Sequence, residues 1–286
     1  MRTRPRKFAL AIVATLSTQA LAANAAPPTT AGAANIPAFA KAVPKVRTGA
    51  PVLAFNGKDL TGFYTYLKET RYEDPKKVIS VKDGAIRVSG EDYGGFTTRE
   101  EYQDYHLVVE WKWGGAAHPP RVKNARDSGI LLHCVGPDGS YAGYWMESQE
   151  CQIIEGGTGD FIMVGSGKEK PAPSLTADLR IGADKQYYFD PGSPSLKRAG
   201  GRNNWWGRDP EWKDEIGFYG KKDLDKPAGE WNTLEVICDG DSITNIVNGY
   251  VANAATKSSL TRGKILFQSE GAEILFRKIE VRPLIK

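Results

Sequence analysis

Three cysteines in 286 residues are too few, and too odd in number, for a disulfide framework. Cys134, Cys151 and Cys238 each sit among apolar neighbours, in ILLHC, ECQII and LEVIC. Such thiols read as buried and free; one disulfide with a thiol left over is the alternative. Histidine is equally scarce. With only His106, His118 and His133, and no spaced Cys or His signature, the chain lacks the makings of a three-histidine or zinc-finger type site. Net charge is small, +4, and Arg2, Arg4, Arg6 and Lys7 at the N-terminus carry that whole excess. The rest of the chain is therefore about neutral and offers no basic stripe, which excludes a nucleic-acid surface. Two further absences are a helix-length periodic segment and an internal repeat of fixed period.

What is there begins with RTRPRK followed by the apolar run FALAIVATL, the charged and hydrophobic parts of a secretory signal. Small residues in ALAANAA suit cleavage, and no cysteine lies there to accept a lipid. Residues 1–25 are therefore expected to be a signal peptide, and the product periplasmic or secreted, with no membrane attachment after cleavage. Residues 26–50 are rich in Ala, Pro and Thr and read as a tether. The remaining residues, 51–286, lie within the size that all-β sandwiches reach as one domain.

Strand-like runs recur through that domain, among them VISV, YHLVVEWKW, SGILLHCV, SQECQII, NTLEVICDG and GKILFQ. Asp-Gly and Asn-Gly pairs in KDG, CDGD and VNGY stand where hairpins need positive φ. Many strands with hairpin punctuation and no βαβ rhythm predict an all-β fold, a two-sheet antiparallel sandwich of jelly-roll type. One segment, residues 190–230, has neither strand nor helix period and carries three of the seven tryptophans. A loop this long in a compact domain is commonly functional. Its Trp205 and Trp206 could stack on sugar rings or pack a small satellite core.

Period-two counting sorts the side chains. Leu107, Val109, Trp111 and Trp113 share one face against Val108, Glu110 and Lys112; Cys151 and Ile153 oppose Glu150 and Gln152; Ile265 and Phe267 oppose Gln268. Ile130, Leu132 and Cys134 are likewise expected opposite Leu131 and His133. Several strands thus offer one apolar side and one bearing Glu, Gln, His or Lys, which would line a groove if the outer face of a sheet curves.

The ordered motifs FNGKDLTGF, GGFTTREEYQDYHLVVEWKW, DSGILLHC, ECQIIEGGTGDF, GEWNTLEVICDGDSITNIVNG and GKILFQSEGAEILFRKIEV resemble the 3-keto-disaccharide hydrolase domain family. That resemblance spans about Val52 to Leu284 and implies a concanavalin A-like lectin/glucanase sandwich. Lys278 stands where the family usually has Asn, and Glu155 where many relatives have Asp. The resemblance implies hydrolysis of glycosides already oxidised at C3 to a ketone. A 3-ketone acidifies the C2 proton, so a base can remove it and expel the C1 substituent before water adds. Such chemistry needs a base over C2, a donor at the ketone and an acid at the leaving oxygen. His133 and Glu150 are the candidate bases and Glu110 the acid or orienter. Gln152, Lys112 and Gln268, with Trp205 and Trp206, would hold the carbohydrate substrate. A divalent metal such as calcium, on Glu110, His133 and Glu150 or on loop acids such as Asp127 and Asp160, would be an alternative donor. A sugar 3-dehydrogenase would be the functional partner. Two other readings stay open. One is a non-catalytic carbohydrate-binding module. The other is an ordinary carboxylate-pair glycosidase on Glu147 and Glu150, which strand alternation places on opposite faces.

Overall fold

The computed structural model describes residues 36–165, 167 and 171–286, so the expected signal peptide lies outside the described residues. Two antiparallel sheets stack face to face. The first runs β16 (Tyr250–Ala255), β15 (Ser242–Val247), β14 (Asn232–Asp239), β6 (Tyr105–Ala117), β18 (Ala272–Pro283), β4 (Ala85–Val88) and β3 (Ile79–Lys82). A short β1 (Leu53–Ala54) also pairs with β18. The second runs β13 (Gly201–Asn203), β9 (Phe161–Val164), β8 (Glu147–Ile154), β7 (Asp127–Val135), β17 (Lys264–Ser269), β5 (Gly94–Thr98) and β2 (Phe63–Leu67). A three-stranded sheet, β11 (Tyr187–Phe189), β10 (Ser174–Ile181) and β12 (Ser195–Ala199), joins them. The all-β sandwich is the architecture the turn spacing predicts.

The core forms because alternate residues of both sheets are apolar. In β6, Leu107, Val109, Trp111 and Trp113 are buried against Ile130, Leu132, Cys151, Ile153 and Phe267. Phe96 and Phe267 stack at 4.7 Å, and Phe276 meets Phe267 edge-on at 5.4 Å. All three cysteines are buried and free, and burial raises each thiol pKa; none is a thiolate nucleophile.

Two expectations about organisation need revision. Part of the stretch expected as a tether is packed. The one-turn helix α1 (Ala38–Lys41) buries Ala40, and the Phe39 ring lies edge-on to Phe189 at 5.9 Å and to Trp206 at 6.0 Å. The segment expected as a loop over 190–230 contains β12 and β13, and its irregular part starts after them.

Candidate active site

Register carries the outer face of the second sheet across five strands. Glu150 of β8 stands opposite Leu131 of β7, then Leu266 of β17, Thr97 of β5 and Tyr64 of β2. One row along, Gln152 stands opposite Gly129, and Gln268 opposite Gly95 and then Tyr66. Cys151 and Ile153 point the other way into the core, so strand alternation leaves Glu150 and Gln152 on the outer face. Here the polar side chains are buried rather than solvated: Glu150 is 2% exposed, Gln152 3% and Gln268 0%. Gly129 is the reason they converge. A Cβ there would collide with the carboxylate oxygen of Glu150 and the amide oxygen of Gln268, so the missing side chain is the space these two fill.

Around them lies a cluster of acids. Asp127, at the start of β7, is buried and pairs with Arg121 at 3.0 Å; Glu270, two residues beyond Gln268, is half-buried. Burial pushes Glu150 up to about 8, and the neighbouring Asp127 charge adds to the shift. Burial also raises Asp127 to about 7, although Arg121 and Arg202 pull the other way. Glu270 is raised well above the usual carboxylate range, first by burial and then by Asp127 and Glu150. Desolvation therefore outweighs two nearby guanidinium groups, and three carboxyls share fewer than three charges at neutral pH. The Gln268 amide lies close enough to Glu150 to favour its ionised form. Even so, neither polar atom of that amide has a well-formed hydrogen bond among the described residues.

The irregular segment 204–231 braces this cluster. Asp214 binds Arg121 at 3.2 Å, Asn124 at 2.6 Å and the Ala125 N–H at 3.0 Å. Glu155 accepts from the Gly217 N–H at 2.8 Å and the Arg126 N–H at 2.9 Å, and its side chain pairs with the Arg126 guanidinium. Asp160, fully buried, accepts from Arg202, Arg208 and the Trp205 N–H. Arg202 also lines a cavity of about 350 Å³ with Arg208, Tyr188, Asn204 and Trp212.

Several expected site residues lie elsewhere. His133 is not on the polar face. β7 carries one extra residue at that point, with His133 at φ 51°, and this bulge reverses the alternation. Cys134 therefore joins Leu131 on the outer face, while the His133 ring packs edge-on to Tyr105, 5.5 Å away, and burial lowers its pKa to about 4. Glu110 and Lys112 belong to the outer face of the other sheet, across the core from Glu150. Glu110 is paired with Arg277, and Lys112 lies over the Trp231 ring at 4.9 Å. Lys112 does line a cavity of about 700 Å³ there, with Arg87, Trp231 and Glu273. Although partial burial works against it, Arg87 and two backbone N–H groups hold the Glu273 carboxyl below its usual range. Trp205 and Trp206 are core residues, 1% and 7% exposed, and meet each other at 5.0 Å. So buried, they pack a core, the second of the two roles expected of them, and present little ring face to a sugar.

The metal set Glu110, His133 and Glu150 is thus split between an outer face, the core and the opposite outer face. Asp160 is saturated by two arginines, and Asp127 is turned to Arg121. Among the described residues, no three His, Cys, Asp or Glu side chains are arranged to hold a cation. Glu147 has the strand parity of Cys151, opposite Glu150, so those two do not form a carboxylate pair across one sugar. Period-two counting reaches Glu150, Gln152 and Gln268. It could also have reached Asp127 and Glu270, each two residues from a position on that face. Arg121 and Arg202 carry no local signal, since they arrive from a loop and from a distant edge strand.

Comparison with known proteins places the chain. The 3-keto-alpha-glucoside-1,2-lyase-like domain model matches residues 50–282, and the chain belongs to that family. No curated protein matches it. Among solved structures it is similar to a candidate glycosyl hydrolase of Parabacteroides distasonis ATCC 8503, with 20% identity and a TM-score of 0.46, covering 81% of this chain and 92% of that one. A Bacillus subtilis protein with a galectin-like fold gives 12% identity and a TM-score of 0.46, covering 85% and 100%. The Bacillus licheniformis beta-glucanase gives 13% and 0.42, covering 82% and 99%. These likenesses concern the fold.

Proposed function

We infer that the protein cleaves glycosides already oxidised at C3 to a ketone, by elimination and rehydration. The observation that carries this reading is the buried acid cluster on the outer face of the second sheet, in a chain of this family. Asp127, whose ionised form the Arg121 guanidinium at 3.0 Å favours, takes the proton from C2. The electrons of that C–H bond pass onto the ketone oxygen as an enolate, and their return forms a C1–C2 double bond as the C1–O bond breaks. Glu150, protonated at neutral pH, gives its proton to the departing oxygen. Water then adds across the double bond, its hydroxyl to C1 and its proton to C2, and the keto sugar is released. Gln268, whose amide is buried without a well-formed partner, is the donor for the ketone oxygen as it takes on enolate character. Glu270, Arg121 and Arg202 set the charge of the pair. The keto substrate implies a sugar 3-dehydrogenase acting first, and the signal peptide expected from RTRPRK and FALAIVATL would place the cleavage outside the cytoplasm.

The test is aglycone release from matched glucoside and 3-keto-glucoside substrates, with and without a chelator. Release from the keto substrate alone, insensitive to the chelator, is the expected result. Release from the unoxidised glucoside would overturn the elimination route in favour of a carboxylate-pair mechanism. Chelator-sensitive release would return a divalent cation such as calcium to the site. Binding without release would leave a lectin-like module.

A further inference from the structure

The same sheet face carries a second constellation, at its far edge, that the acid cluster does not use. Tyr64 and Tyr72 both donate their hydroxyls to Asp138, at 2.9 and 3.0 Å. Arg71 donates to the Tyr66 hydroxyl at 2.7 Å and to the Gly143 carbonyl at 3.0 Å, and Lys264 donates to the Tyr64 hydroxyl at 3.2 Å. Tyr66, Arg71, Tyr72, Asp138 and Lys264 border a cavity of about 410 Å³ that also meets Met146 and Glu101, and Tyr64 is bonded to Asp138 and Lys264 of that lining. Tyr72 is 64% exposed, yet its ring is fixed edge-on to Tyr66 at 5.2 Å and its hydroxyl is tied down. An exposed aromatic ring whose rotamer is already held loses little entropy when a ligand stacks on it.

Charge in this cavity is balanced, Arg71 and Lys264 against Asp138 and Glu101, so a neutral ligand rich in hydroxyls fits better than an anion. Aromatic side chains join it to the acid cluster. Tyr93 lies near Glu270 and meets Tyr144 at 5.3 Å, Tyr144 meets Trp145 at 4.7 Å, and Tyr141 stacks on Trp145 at 5.9 Å. Trp145 precedes Met146 on the cavity wall. From Glu150 to Tyr64 the row crosses four strand spacings, about 19 Å, farther than the two sugars of a disaccharide need.

We propose that this tyrosine cavity is a distal saccharide-binding site and that the natural substrate is a longer, neutral glycan chain lying along the aromatic strip. The substrate length rests on the cleavage reading above; saccharide binding at the cavity does not. The experiment uses two 3-keto-glucosides, one with methyl and one with a linear tetrasaccharide as aglycone, together with binding of the unoxidised tetrasaccharide by calorimetry. In the wild-type protein the long substrate is expected to have about tenfold higher kcat/KM, roughly one stacked ring and its hydrogen bonds. In Tyr72→Ala the ratio of long to short falls toward one, and tetrasaccharide affinity drops by a similar factor. Asp138→Asn, which keeps the shape but weakens the hold on both tyrosines, gives a smaller drop in the same direction. Equal rates for the two substrates in the wild type, or tetrasaccharide affinity untouched by Tyr72→Ala, would overturn the proposal. Tyr72-dependent binding with no cleavage of any glycoside would keep the saccharide site while removing the enzymatic reading.

Discussion

Glu150 shows how one side chain can be tuned by its surroundings. A glutamate in water ionises near pH 4.3, and here burial, with Asp127 alongside, moves it to about 8. A general base must be ionised and a general acid protonated, so the acidic limb of the rate profile follows Asp127 and the alkaline limb follows Glu150. The expected kcat/KM profile is a bell with limbs near pH 7 and 8, the values to which burial raises the pair. Glu150→Gln cannot titrate or give up a proton. It should lower kcat by about 10²- to 10⁴-fold, abolish the alkaline limb and leave sugar affinity nearly unchanged. Stopped-assay kinetics from pH 5.5 to 9.5 on a 3-keto-glucoside check both points. A Glu150→Gln profile that kept its alkaline limb would assign that limb to another group.

Strand β7 shows what a single extra residue does to a face. Up to Leu132 its alternation is the one that period-two counting predicts, and Ile130 and Leu132 are in the core. The bulge then turns His133 inward to Tyr105 and Cys134 outward to Leu131 and Trp145. A histidine at φ 51° is uncommon for a non-glycine residue, and nothing in SGILLHCV marks where the extra residue falls. His133→Phe should therefore leave kcat and KM of the keto-glycoside reaction as they are, while changing stability by about 1–2 kcal/mol. Urea unfolding alongside the assay separates the two effects. A large loss of kcat in a folded His133→Phe protein would restore the histidine to the chemistry.

For the molecule as a whole, the tryptophan-rich segment works by packing. Trp206 is buried between the body and α1, with its indole N–H on the Val251 carbonyl at 2.9 Å and Phe39 against its ring. Trp206→Ala should cost about 3–5 kcal/mol of stability and expose the 36–46 segment to proteolysis, with KM unchanged at low temperature. Denaturant titration with limited proteolysis tests this, and a raised KM without loss of stability would mark Trp206 as a sugar contact after all. The same segment reaches the acid cluster through Asp214 and Arg121, so a remote part of the chain sets one of the charges that poise Asp127.

Local pattern was enough for the sandwich, for the hairpins and for the facing of Glu150, Gln152 and Gln268, because a strand's side-chain period is two and hairpin turns have a narrow chemistry. It was not enough to say which sheet a polar face belongs to. Glu110, Lys112 and Glu150 share the same alternating signature, yet β6 and β8 lie in different sheets, and only strand order puts the core between them. Arg121 and Arg202 joined the cluster by the same route, from a loop and an edge strand distant in sequence. Nor could alternation reveal that these carboxyls are buried together. The raised pKa values of these carboxyls arise from desolvation and mutual repulsion, and both exist only once the chain has brought Asp127, Glu150 and Glu270 to one place.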